Sequence, residues 1–97
     1  MNLDNLIPVT TLCTHYNVEM PFFGQLNEMG LIQIQIIEET QYIHPDRIYE
    51  IEKMIRMYQE LDINIEGIDV VMNLLKKIDD LQNELIAVKN RLGIYES

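Results

Sequence analysis

Apolar residues recur at alternating intervals of three and four along residues 71–95 of the chain. Most positions between them are polar or charged, the stretch contains no proline, and its single glycine, Gly93, lies near its end. This spacing is typical of a helix with a narrow apolar seam that packs against another helix. The predicted seam consists of Val71, Leu74, Ile78, Leu81, Leu85, Val88, Leu92 and Tyr95.

A helix of this length spans roughly 37 Å at ~1.5 Å per residue. A compact domain of ~100 residues has a radius of gyration of only about 13 Å. We therefore expect the helix to project from its own domain and to form a homodimer through the seam, although the seam could instead cover the core of its own chain. The flanking charges permit a parallel pair, which joins Glu84 to Lys89 and Arg91 to Glu96, and equally a shifted antiparallel pair with Lys77 opposite Glu84.

The N-terminal part of the chain predicts two short helices joined by a tight connection. The first is expected over about residues 11–16, with Thr10 as its N-cap and Asn17, which tolerates the left-handed conformation, at its end. The second is expected over about residues 20–29, with Gly30 as its C-terminal stop. Such an arrangement fits a helix-turn-helix motif.

A β-hairpin is predicted after these two helices. Residues 31–37 alternate and are rich in β-branched side chains, which favours a strand, and residues 42–44 favour the returning strand. Residues 38–41 would form the turn, whose type is not specified because it lacks glycine. A two-stranded hairpin that follows a helix-turn-helix is a wing.

Two further helices complete the prediction. Pro45 opens the third helix, and Asn64 is a candidate cap for the last one, which contains no breaker up to Leu92. The buried stripe of the third helix is expected to comprise Ile48, Ile51, Ile55 and Tyr58, flanked by Met54, Met57 and Leu61. We thus predict a mainly α chain, with a winged helix-turn-helix domain over residues 1–62 and a long coiled-coil helix over residues 63–97.

Composition makes the chain a small and strongly acidic globular protein. Apolar residues form 47% of its 97 residues, and 16 acidic residues against 7 basic ones give a net charge of −9. The N-terminal half is almost without cations, since Arg47 is the single base among residues 1–50. One cysteine excludes an intrachain disulfide, and neither a signal peptide nor an apolar run of ~18 residues is present. We therefore expect a cytoplasmic location.

The sequence offers little that points to catalysis. It has no glycine-rich phosphate loop, and Cys13 and His15 lie two residues apart on a predicted helix, so their side chains point to different faces. With His44 they also lack the spacing of metal ligands. We predict a protein that is not an enzyme and has neither a cofactor nor a metal, and in which Cys13 is a small buried side chain.

Charge also argues against DNA as the partner of the helix-turn-helix. DNA affinity depends on Lys and Arg side chains that neutralise phosphates. The second helix has no cation, only Gln25 and Asn27 on it could read base edges, and the wing turn carries Glu38 and Glu39. We therefore do not expect DNA to be a partner, and expect the motif to serve protein binding instead.

Several segments resemble MerR-type regulators. They are the first helix pair with its end NEMGLI at residues 27–32, the wing exit YIHPDR at residues 42–47, the segment INIEGI at residues 63–68 and the long seam. Together they imply a MerR-like winged helix-turn-helix. The stretch LDINIEGI at residues 61–68 is most similar to the CbpM-like chaperone modulators within this superfamily.

This resemblance implies a function. CbpM-like proteins bind the J-domain of a DnaJ/CbpA-type co-chaperone and block its stimulation of the Hsp70 ATPase. Gly24 and Gln25 stand where MerR regulators carry an arginine and a tyrosine that contact phosphates, which again disfavours DNA. A MerR-type DNA-binding transcriptional regulator is the main alternative, and a structural dimer with some other protein partner is a further one.

The partner-binding surface is expected on the N-terminal half. J-domains present a basic helix, and an acidic surface attracts such a helix electrostatically. The candidates are four acidic residues of this half and one apolar residue of the second helix, whose side chain is expected to be exposed. They are Glu19, Phe22, Glu28, Glu38 and Glu39.

Overall fold

The structure, a computed structural model, describes residues 5–93 of the chain. Its elements are β1 (Ile7–Pro8), α1 (Val9–Tyr16), α2 (Met20–Glu28), β2 (Gln35–Ile37), β3 (Thr40–Ile43), α3 (Ile48–Glu60) and α4 (Ile65–Leu92). A 3-10 turn, Pro45–Arg47, leads into α3. The predicted mainly α fold with a β wing is confirmed.

The helix-turn-helix is formed by α1 and α2. Asn17 ends α1 in the left-handed region with φ 59°, and Gly30 follows α2 with φ 78°, as the sequence predicts. The predicted cap Thr10 is wrong, because α1 already begins at Val9 and Pro8 occupies the N-cap position. The earlier start lets Val9, which is fully buried, contribute to the core from the first turn.

The wing is part of a three-stranded antiparallel sheet in the order β1-β3-β2. Ile7 in β1 lies opposite Ile43 in β3, a pairing that the sequence analysis does not predict. The predicted strand over residues 31–37 is too long, since only β2 pairs with β3. Ile32 and Ile34, in its first part, pack against the core instead.

The turn of the wing consists of two residues, Glu38 and Glu39. Ile37 pairs with Thr40, so the returning strand begins earlier than predicted. Both turn residues have positive φ, 49° and 68°, which is the requirement of a type I′ hairpin. Glycine and asparagine normally occupy these positions, because other side chains are strained there.

A single hydrophobic core joins α1 and α2 to α3 and α4. Its fully buried side chains come from α1, α2, β3, α3 and the first turn of α4, and they include Val9, Phe23, Leu26, Ile43, Ile51, Met54 and Ile68. On α3, the predicted stripe is correct for Ile51, Met54, Ile55 and Met57. It is wrong for Tyr58, which lies against the outer side of Phe22 and is 42% exposed, and for Leu61, which follows the end of α3 and is 66% exposed.

The last helix, α4, is continuous, as the sequence predicts. Asn64 caps it, with Oδ1 accepting a hydrogen bond from the backbone N–H of Gly67 at 2.8 Å. Gly93, with φ 73°, ends it. Because α4 extends beyond the core, the Cα radius of gyration reaches 17.3 Å and the longest dimension 54 Å.

Candidate partner-binding surfaces

The apolar seam of α4 is largely exposed in the single chain. Its members from Leu74 onward have the exposed fractions Leu74 52%, Ile78 50%, Leu81 57%, Leu85 53% and Leu92 64%. Val88 is half-buried, and Val71 is half-buried against the core. Tyr95 lies outside the described residues. From Leu74 to Leu92, the seam therefore does not cover the core of its own chain.

Further apolar side chains flank the seam and widen it. Leu75 is 41% exposed and Ile86 48%. Leu75 and Ile78 also line a cleft of about 670 Å³ between α4 and the start of α3, where Arg47, Glu50 and Lys53 supply charges of both signs. The exposed face is thus broader than a strict heptad seam.

The four predicted acidic candidates are all exposed but do not lie on a single element. Glu19 is the residue immediately before α2, and Glu28 is the last residue of that helix. Glu38 and Glu39 form the wing turn at the tip of the hairpin. All four side chains are accessible to a partner.

Phe22 is not the exposed apolar side chain that the sequence analysis expects. It is only 4% exposed, and its ring packs 4.5 Å from that of Tyr58 and 5.5 Å from that of Phe23, between centroids. The side chain faces inward because Phe22, Phe23 and Leu26 all belong to the buried face of α2. It is Tyr58, on α3, that exposes an aromatic side chain beside α2.

Two adjoining clefts run along α2, and we call them together the α2 groove. The larger, of about 460 Å³, is lined by Gln25, Glu28, Met29, Tyr58, Asn64, Ile65 and Glu66. The smaller, of about 270 Å³, is lined by Asn17, Val18, Glu19, Pro21, Phe22, Gln25, Tyr58 and Gln59. They share Gln25 and Tyr58. Tyr58 and Glu66 are not among the predicted site residues, because neither lies in the helix-turn-helix itself.

Cys13, together with His15 and His44, is the side chain considered above for catalysis or metal binding. Partial burial raises the pKa of the Cys13 thiol, against a smaller opposing effect of a backbone hydrogen bond, so the reactive thiolate is disfavoured. Within residues 5–93, no group of three or more His, Cys, Asp or Glu side chains is placed to hold a metal ion. In the same range no helix is long and apolar enough to cross a membrane.

The surface of α2 lacks the cationic side chains with which a DNA-binding helix contacts phosphates. Gly24, Gln25 and Asn27 are exposed on it, and it contains no Lys or Arg. Asn27 is further engaged in the fold, since its Oδ1 accepts a hydrogen bond from the backbone N–H of Ile34 at 3.2 Å. For Gln25, the other residue predicted to read base edges, no side-chain hydrogen bond is found within residues 5–93.

The sequence profile of the family described as MerR HTH family regulatory protein matches residues 7–90. The chain belongs to the MerR helix-turn-helix family. This match includes α1, α2, the wing, α3 and most of α4, so the family assignment rests on the whole architecture. No solved structure matches the chain.

Comparison with curated relatives indicates which members of the MerR family this chain is similar to. The chain is 24% identical over 90 residues to the chaperone modulatory protein CbpM of Pseudomonas entomophila, covering 92% of this chain and 89% of the relative. It is 23% identical over 95 residues to the protein of the same name from Escherichia coli O139:H28, covering 97% and 94%. The predicted resemblance to CbpM-like proteins of the MerR type is confirmed.

Proposed function

We propose that this chain is a chaperone modulator, which binds the J-domain of a DnaJ/CbpA-type co-chaperone and inhibits its stimulation of Hsp70. The observation that carries the proposal is the near full-length similarity to relatives named chaperone modulatory protein CbpM. In this role the chain acts in the cytoplasm, by occupying a surface of its partner and without chemistry of its own.

The distribution of charge supports this proposal over DNA binding. The helix-turn-helix and the wing expose Glu19, Glu28, Glu38 and Glu39, and neither α2 nor the wing turn carries a Lys or Arg. A surface of one sign attracts an oppositely charged partner and accelerates its association. A basic J-domain helix meets this condition, whereas the DNA phosphates are repelled by it.

The exposed seam of α4 supports a homodimer. Complete burial of each large apolar side chain stabilises an interface by ~1.5–3 kcal/mol, against an association cost of ~4–15 kcal/mol. Five seam residues that are each at least half exposed, with Leu75 and Ile86 beside them, provide enough apolar surface to offset that cost. In this arrangement the winged helix-turn-helix domain, together with the start of α4, binds the partner, and the exposed part of α4 forms the dimer contact.

The proposal is tested with purified components. Isothermal titration of the chain with a DnaJ/CbpA-type J-domain is expected to show saturable binding. The J-domain-stimulated ATPase rate of Hsp70 is expected to fall to the basal rate as the chain is added, while the basal rate itself stays unchanged. Absence of binding to J-domains of this type overturns the proposal.

The DNA-binding alternative is tested in parallel. The tagged chain is captured from native lysate, with and without nuclease, and both the bound proteins and the bound nucleic acid are identified. A J-domain protein that survives nuclease treatment supports the modulator. A discrete DNA fragment that is lost at raised salt instead indicates a transcriptional regulator of the MerR type.

A further inference from the structure

We propose that the α2 groove is the docking site for a basic amphipathic helix of the partner, while the wing acids contribute only long-range attraction. This inference rests on the proposed function for the identity of the partner, and on the groove itself for its chemistry.

The shape of the groove suits a helix. Its two clefts, of about 460 and 270 Å³, meet at Gln25 and Tyr58 and follow α2 from Glu19 to Glu28. A nine-residue helix such as α2 is about 13 Å long. A partner helix lying along it therefore contacts the groove over two to three turns, in the helix-in-groove mode of recognition.

The apolar part of the groove is centred on Tyr58 and Met29. Tyr58 is 42% exposed and Met29 is 39% exposed. The Tyr58 ring is held in place from behind by Phe22, 4.5 Å away between centroids, so little ordering of this side chain is needed on binding. Tyrosine is enriched among the residues that dominate binding energies, and methionine adapts to irregular apolar partners.

The negative charge of the groove determines which kind of helix it can bind. Its lining contains three carboxylates, those of Glu19, Glu28 and Glu66, and no Lys, Arg or His. Glu19 lies at one end of α2, and Glu28 and Glu66 line the cleft at the other. A complementary helix carries Lys or Arg side chains about two to three turns apart, with apolar side chains between them for Tyr58 and Met29.

Nuclear magnetic resonance of the full-length ¹⁵N-labelled chain tests this docking site. The probe is a synthetic helical peptide with lysines on one face and leucines on the other, and a copy with glutamates for the lysines serves as its control. Saturable shifts are expected at the amides of Gln25, Met29 and Glu66 with the basic peptide, and none with the acidic one. Shifts confined to the wing or to the seam of α4 overturn the inference.

Charge reversal distinguishes contact from long-range attraction. Glu28→Lys changes the groove at the C-terminal end of α2, where a cation is compatible with the helix dipole, and Glu38→Lys makes the same change on the wing. We expect Glu28→Lys to weaken binding of the basic peptide at least about tenfold and Glu38→Lys less than about threefold. Equal weakening by the two variants overturns the inference.

A second pair of variants tests the apolar anchor. Tyr58→Ala removes the exposed ring of the groove, and Tyr49→Ala removes a more exposed ring, 68% accessible, elsewhere on α3. Only Tyr58→Ala is expected to weaken binding tenfold or more, in a chain whose amide spectrum shows that it is folded. If Tyr58→Ala unfolds the chain, Tyr58→Phe is used in its place, because it keeps the packing on Phe22. This variant is expected to retain binding. Loss of binding by Tyr58→Phe would count against the Tyr58 ring as an apolar anchor.

The same titrations separate this inference from the proposed function. If an intact J-domain binds but shifts residues outside the groove, the docking site is wrong and the modulator function stands. If the basic peptide binds the groove but no J-domain binds the chain, the modulator function is wrong and the docking site stands. Binding of neither overturns both.

Discussion

The hydroxyl of Tyr16 donates a hydrogen bond to the carboxylate of Glu52, and this contact joins the end of α1 to α3. Gln59 reinforces the connection, since its Nε2 donates to the backbone oxygens of Tyr16 and Asn17 at 2.9 and 3.1 Å. The left-handed turn between α1 and α2 is thereby fixed on α3, the helix that also supplies Tyr58 to the α2 groove. The geometry of the helix-turn-helix thus depends on polar contacts that are distant in sequence.

Removing the Tyr16 hydroxyl is expected to lower stability and to change its dependence on pH. Tyr16→Phe loses one side-chain hydrogen bond, which typically costs about 1 kcal/mol in the free energy of unfolding. The hydrogen bond to Glu52, with smaller effects of partial burial and of the carboxylate charge, raises the pKa of Tyr16 in the folded chain. The stabilisation is therefore fully present below the unfolded-state pKa of about 10 and is lost as the pH rises through the higher folded value.

Urea denaturation between pH 8 and pH 11 measures this effect. The difference in unfolding free energy between the wild-type chain and Tyr16→Phe is expected to shrink as the pH rises above about 10. Tyr49→Phe is the control, because Tyr49 is 68% exposed and no hydrogen bond of its hydroxyl is found among the described residues. A difference that does not change with pH would show that the contact with Glu52 does not stabilise the fold.

Two glycines in helices are expected to respond oppositely to the same substitution. A Cβ on Gly67 would lie 2.7 Å from Cγ2 of Ile63 and 3.1 Å from the capping Oδ1 of Asn64, whereas a Cβ on Gly24 has no neighbouring atom within 4 Å. Gly24→Ala should stabilise the chain by about 0.5–1 kcal/mol through helix propensity. Gly67→Ala should destabilise it by about 1–2 kcal/mol, because the crowding and the disturbed cap outweigh the same gain.

Chemical denaturation of both variants measures this contrast. Asn64→Ala provides an independent estimate of the cap, with an expected loss of about 1 kcal/mol, and Asn64→Asp should retain most of the stability. If Gly67→Ala were as stabilising as Gly24→Ala, the close packing of Ile63 against the start of α4 would be refuted.

The wing turn is expected to be improved by glycine. Glu39 has φ 68°, a conformation that costs an ordinary L-residue about 1 kcal/mol or more and costs glycine almost nothing. Glu39→Gly should therefore raise the free energy of unfolding by about 0.5–1 kcal/mol. Glu39→Gln is the matched control, since it removes the same charge but keeps the strained backbone, and it should have little effect. An equal gain from both variants would assign the effect to charge repulsion with Glu38.

The parts of the fold that the sequence predicts correctly are those set by local signals. The seam spacing identifies α4, Asn64 marks its start, and Asn17 and Gly30 mark the ends of the two short helices. Each of these features depends on contacts within one or two turns. They can therefore be recognised from adjacent residues without knowledge of the tertiary structure.

The errors concern residues whose environment is set by distant parts of the chain. Strand β1 forms because Ile7 pairs with Ile43 in β3. A strand of only two residues shows no alternation of apolar and polar positions from which it could be predicted. Residues 31–34 alternate like a strand, but Ile32 packs against the helices. Phe22 and Tyr58 exchange their expected environments, because Phe22 belongs to the buried face of α2 and the Tyr58 ring from α3 packs against it. The α2 groove, which both rings help to line, could not be predicted for this reason.

A glutamate in the seam is expected to separate the proposed dimer without unfolding the chain. Leu81 is 57% exposed in the single chain, so Leu81→Glu should leave the fold of residues 5–93 intact. In a dimer the substitution removes two leucines from the interface and places two carboxylates in apolar surroundings, so association should weaken at least about 100-fold. Sedimentation equilibrium is expected to give twice the chain mass of 11.5 kDa for the wild type and the single mass for the variant.

Asn83→Glu is the matched control, because it adds the same charge two residues away, outside the seam. It should remain dimeric, and its thermal midpoint should rise with concentration as that of the wild type does, while the midpoint of Leu81→Glu should not. A wild-type chain of single mass at all concentrations would instead leave the exposed side chains of α4 without a second copy to bury them. In that case the seam of α4 would be a surface for a different protein. The J-domain titration, repeated with Leu81→Glu, would show whether the seam takes part in the contact with the J-domain.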